Sequence, residues 1–107
     1  MAESGYIVVL VTSGSGEEAR KIADRLLAEH KAACVSILTG VSSAFWWQGK
    51  VDSAEENLLV IKTKRSQLDD IVALVKKLHS NGVPEVIALP IIGGNQDYLD
   101  WLDKEVK

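Results

Sequence analysis

With 107 residues, 47% apolar and 25% charged, the chain has the balance of one folded domain spanning 1–107, which argues against an intrinsically disordered chain. Twelve basic against fifteen acidic residues leave a net charge of −3 and a pI near 5.3, and no basic stripe of the kind a nucleic-acid partner requires. No apolar run reaches the roughly 18–20 residues that span a bilayer, so no membrane partner is expected. Met1 to Gly5 carries neither a basic nor an apolar leader signature, and a cytoplasmic location is the expectation.

Taken in chain order, Tyr6 to Thr12 is a short apolar run rich in β-branched residues and predicts a strand buried on both faces. Ser13-Gly14-Ser15-Gly16 breaks it, and Ser15 stands three residues before Glu18, the spacing of a capping box. Ala19, Ile22, Ala23, Leu26 and Leu27 then repeat on one helical face. Ala33 to Gln48 has no helical stripe and ends in Phe45-Trp46-Trp47. Gln48-Gly49 predicts a primed two-residue turn, and Lys50 to Lys64 returns as the second arm. Arms of this length exceed the usual 5–6 residues of a strand and predict a bulge near Thr39-Gly40.

Ser66 and Asp69 predict the start of a second helix with Leu68, Ile71, Val72, Val75 and Leu78 inward, and Asn81-Gly82 predicts its end. Val83 to Ile92 predicts a further strand, with Pro90 confining it to an edge or a bulge. Asn95 caps a terminal helix carrying Leu99, Leu102 and Val106. The order β-α-β-β-α-β plus a helix is the α+β, ferredoxin-like arrangement. Its central hairpin is too long to stay paired within a four-stranded sheet, so its tip predicts unpaired edges. A closed ring of identical chains would cover them.

Chemistry-bearing residues are few. Cys34 is the only cysteine and allows no intrachain disulfide. Thiolate and imidazole suit copper and zinc, so Cys34 and His79 are the metal candidates, with His30 and Met1 behind them. Burial as a small hydrophobe is the competing reading of Cys34, and helix capping that of both histidines. Trp46 and Trp47 must point to opposite faces of their strand, so one can fill the core and leave the other for a neighbouring chain or a cleft. Phe45, Trp46, Trp47 and Trp101 are therefore interface candidates. Lys62, Glu85 and Trp47 are cleft candidates. The sharper reading of Lys62 has it converge with Glu85 and His79 on a ligand; the plainer one is an ion pair at a subunit boundary. Ser13–Gly16 lacks the ending of a P-loop, and no nucleophile–base motif is present, so no enzyme is expected.

Several blocks in order resemble the CutA family over nearly the whole chain. They are Ile7-Val8-Val9-Leu10-Val11-Thr12, Ala32-Ala33-Cys34-Val35, Phe45-Trp46-Trp47-Gln48-Gly49-Lys50-Val51 and Ile61-Lys62-Thr63. Two more follow, Val83 to Ile91 and Gly94-Asn95 with Tyr98-Leu99-Asp100-Trp101-Leu102. The resemblance implies a non-catalytic homotrimer built by the long hairpins, serving tolerance of divalent metal ions, copper above all, through weak or shared binding and with no obligatory cofactor. It also implies an alternative, a trimeric signalling or scaffold protein like the PII proteins, taking a small molecule or a protein partner at clefts between subunits. Two departures touch the metal reading. Relatives commonly read His-Pro-Tyr where this chain has His79-Ser80-Asn81, and some carry a cysteine where it has Val11.

Overall fold

The computed structural model describes residues 5–107; the N-terminal leader reading and Met1 as a ligand fall outside them. The elements are β1 (Tyr6–Ser13), α1 (Gly16–Ala28), β2 (Cys34–Trp47), β3 (Lys50–Lys64), α2 (Leu68–Leu78), β4 (Val86–Pro90) and α3 (Gln96–Glu105). The four strands form one antiparallel sheet in the order β2-β3-β1-β4, which is the expected ferredoxin-like topology. No described helix is long and apolar enough to cross a membrane.

Local chemistry sets the element ends. The Ser15 side chain accepts from the Glu18 N–H and opens α1, while Asn95 accepts from the Asp97 N–H and opens α3. His30 closes α1 at φ +54, with the Lys31 N–H bonded to the Leu26 carbonyl and the His30 N–H to Leu27, a Schellman pair built on a non-glycine residue. Gln48 and Gly49 sit at φ +49 and +79, the two left-handed positions of a primed hairpin turn. The β2–β3 register shifts between Leu38 and Val41, with Gly40 at φ +71, in agreement with the expected bulge.

The core lies on one face of the sheet. Ile7, Val9 and Val11 from β1 and Leu59 and Ile61 from β3 meet Ala19, Ile22, Leu26, Ile71 and Val75 from the two helices. Alternate residues of the same strands point to the opposite face, which is only half-buried on β1 and β3, and on β4 leaves Ile87 and Leu89 exposed. β1 is thus buried on one face and not on both. Helix α3 covers the end of this second face, where Asp103 meets Tyr6 and Lys64.

Four other expectations are corrected. Ser66 does not cap α2; it lies in a 3-10 turn, Arg65–Gln67, that feeds the helix. The helix ends at Leu78 because His79 turns extended, so Asn81-Gly82 lies beyond its end. β4 runs Val86–Pro90 only, since β1 offers it partners from Ile7 to Val11, and as the edge strand it tolerates Pro90. Neither tryptophan of the hairpin fills the core, Trp46 being 76% and Trp47 59% exposed, because no layer covers that part of the sheet.

Candidate functional site

The end of α2 delivers His79 into a buried polar knot. Its Nε2 donates to the Thr12 carbonyl at 2.7 Å, and its Nδ1 accepts from the Asn81 N–H at 3.1 Å. Those partners assign the neutral Nε2–H tautomer and occupy both ring nitrogens. Glu18 completes the knot from α1, accepting from the Ser13 hydroxyl and from the Ser80 N–H, each at 2.6 Å. Its carboxylate lies 3.8 Å from the His79 ring. Burial pushes the Glu18 carboxyl up, but the hydrogen bonds from Ser13 and Ser80 outweigh it and hold the group below its ordinary value. A proline at position 80 would have no N–H to give Glu18. His79 therefore fastens the strand β1, the helix α1 and the loop 80–85 to one another.

Cys34 lies elsewhere. It opens β2 directly opposite Lys62, on the face away from α1 and α2. The Lys62 ammonium donates to the Ser36 hydroxyl at 2.7 Å and lies 3.7 Å from the Cys34 sulfur. Tyr98 reaches the same sulfur from α3, and partial burial followed by that contact raises its phenol above the ordinary value. Trp101 stacks at a tilt on Tyr98, ring centroids 5.4 Å apart, and stays 43% exposed. Lys62 pairs with Val8 and His79 binds Thr12, four residues farther along β1, so Cys34 and His79 do not meet within one chain. Among the described residues no group of three or more His, Cys, Asp or Glu side chains is placed to hold a metal ion. A copper site made of Cys34 and His79 does not fit a single chain.

The hairpin forms a third locality. Beyond Leu38 and Asn57 it leaves β1 behind, and Phe45, Trp47, Asp52, Ala54 and Glu56 share one of its faces. That face looks across a cleft of about 520 Å³ toward the loop Ser80–Val83. A companion cleft of about 540 Å³ brings Glu85 together with Trp47 and Trp46. Glu85 and Trp47 are thus united and Lys62 is not, because Lys62 lies five positions along β3 from Asn57, the last residue of that strand paired with β1. Sequence reading placed Glu18 only in a capping box and missed its part in the knot, since its partner Ser80 lies 62 positions away with no local signal. It also missed Asp52 and Glu56, though their even spacing with Ala54 on β3 places them on one face.

Comparison with known proteins follows the same outline. The profile of a family described as CutA1 divalent ion tolerance protein matches residues 7–105. The chloroplastic protein CutA 1 of rice is 48% identical over 101 residues, a match covering 94% of this chain and 57% of the relative, so the chain spans little more than half of that protein. The divalent-cation tolerance protein CutA of Thermus thermophilus is 48% identical over 95 residues, 89% of this chain and 92% of the relative. The crystal structure of CutA1 from rice superposes with a TM-score of 0.94 at 46% identity, covering 98% of this chain and 96% of that one. A match that runs through all four strands and all three helices at this identity establishes that the chain belongs to the CutA1 divalent ion tolerance protein family.

Proposed function

We propose that the chain serves divalent-cation tolerance without catalysis, as a homotrimer closed by its long hairpins. The observation that carries the assembly is the uncovered hairpin. Residues 41–47 and 50–56 form a two-stranded ribbon with free backbone edges, and Trp46 at 76% and Val51 at 63% exposure face each other across it. On the other face, the second face of the sheet, Ile87 and Leu89 are also exposed, and Phe45 and Trp47 continue that face on the hairpin. Free edges beside large apolar side chains favour pairing with further copies, and a closed ring leaves none over. Light scattering at micromolar concentration should return three times the 11.6 kDa chain mass, and Trp46→Ser should lower it. A monomeric mass for the unaltered protein would remove this reading.

For the metal, the reading is weak copper uptake at a site shared between copies around Cys34, supported by its half-buried thiol and by the family's described role. Titration of the reduced protein against a competing chelator should show uptake that Cys34→Ala abolishes. His79→Ala should leave that uptake in place and lower stability instead, because its ring nitrogens are already engaged.

A further inference from the structure

The loop after α2 carries a dipeptide that metal tolerance and assembly leave unused, Asn81-Gly82, and both of its residues are exposed. His79 holds the Asn81 N–H. The Asn81 carboxamide makes no hydrogen bond among the described residues, and neither does the Gly82 N–H. A carboxamide free to turn thus stands beside a backbone nitrogen free to give up its proton. Asparagine is thermolabile, and glycine adds no Cβ to hinder the approach of that nitrogen. The other two asparagines of the chain differ on each count. Asn57 precedes Leu58 inside β3 and donates its side-chain N–H to the Ser13 carbonyl at 3.2 Å. Asn95 precedes Gln96, and its Oδ1 accepts from the Asp97 N–H at 3.0 Å as the cap of α3.

We propose that Asn81 is a site of spontaneous deamidation, and that its conversion loosens the loop from Glu18 and His79. The Gly82 nitrogen, its proton lost to hydroxide, attacks the side-chain carbonyl carbon Cγ of Asn81. The N–Cγ bond forms, the Cγ–Nδ2 bond breaks, and Nδ2 takes a proton from water and leaves as ammonia. The product is a cyclic succinimide. Water then opens the ring at either carbonyl, which gives aspartate or isoaspartate, so one water is taken up for the ammonia lost. Conversion adds a carboxylate to a residue that shares its two clefts with Asp52, Glu56 and Glu85, and like charges push the loop outward. Isoaspartate also inserts a methylene into the main chain directly after the N–H that His79 holds. The reaction runs within one chain and consumes only water. It therefore stands apart from the assembly and copper readings and from the tests of each.

The test is peptide mapping by mass spectrometry of the full chain during incubation in mildly alkaline buffer. The Asn81 peptide should gain the mass of an amide-to-acid conversion ahead of the peptides carrying Asn57 and Asn95, as separable aspartate and isoaspartate forms. Gly82→Ala should slow that conversion about tenfold, since a side chain hinders the approach of the nitrogen. A Cβ at position 82 meets nothing within 4 Å, and the backbone there lies outside the left-handed region, so the variant keeps the fold. Converted chains should exchange the Ser80 and Asn81 amides faster than fresh ones, because Glu18 and His79 hold them less firmly. Survival of Asn81 for as long as Asn57 or Asn95 would overturn the proposal. So would an unchanged rate in Gly82→Ala, a product of aspartate alone, or unaltered amide exchange in converted chains. The three asparagines are compared within the unaltered chain, so that comparison depends on no variant.

Discussion

The hairpin β2–β3 joins two halves made of the same kind of ladder but placed in different surroundings. In the inner half, Val35 and Ile37 pair with Ile61 and Leu59, β1 flanks β3, and two helices cover the surface; Leu59 and Ile61 are fully buried. In the outer half, Phe45, Trp46 and Trp47 pair with Asp52, Val51 and Lys50, with no third strand, and all three aromatics stay exposed. Hydrogen bonding between two strands is alike in both. A two-stranded ribbon is marginal by itself, so what separates the halves is the third strand and the covering layer. Apolar residues thus mark a core where the chain supplies its own layer, and a contact surface where it does not.

Substitution on each side of the bulge tests that contrast. Leu59→Ala should cost about 2–5 kcal/mol in urea unfolding, because its cavity opens at the centre of the core. Val51→Ala, on the outer part of the same strand, should cost about 0.5 kcal/mol or less in the dissociated chain. Equal losses at the two sites would mean that the outer half is packed and the comparison is wrong. His79→Ala comes next, at about 1–3 kcal/mol in thermal unfolding, since it strands the Thr12 carbonyl and the Asn81 N–H.

Glu18→Gln sharpens the same knot at about 1 kcal/mol at pH 7. Its folded carboxyl titrates below the ordinary value, so the unfolded chain binds the proton first on acidification. The stability Glu18 contributes is full above the ordinary value of about 4.3 and disappears as pH falls through the lower folded value. Unaltered and Gln chains should therefore converge in stability only under acid. Gly49→Ala at φ +79 should cost about 1 kcal/mol, confined to the turn. It should speed amide exchange in residues 46–51 while leaving the global unfolding midpoint in place, because the outer ribbon opens without the core.

Much of this was legible in the residues. The primed turn at Gln48-Gly49, the bulge at Gly40, the caps at Ser15 and Asn95 and the edge position of Pro90 follow from backbone chemistry within a few residues. The stripe of α1 holds except at Leu27, which is 39% exposed, and in α2 Leu74 is buried although the stripe omits it. The candidate site was far less legible. Residue types pointed to Cys34 and His79 together, yet ligand chemistry carries no distance, and the sheet holds them in separate localities.

The amino-acid sequence by itself determined the order of elements, the length of the hairpin and its turn, because periodicity, glycine conformations and caps act over short spans of chain. Tertiary structure alone decided that the loop after α2 is tied to α1 through Glu18 and Ser80. It also decided that one face of the sheet is covered by two helices while the other is left partly open, and that Trp47 shares its cleft with Asp52 and Glu56 and not with Lys62. Those outcomes depend on which surfaces meet when distant segments pack, and that meeting is set by the geometry of the whole sheet and its layers.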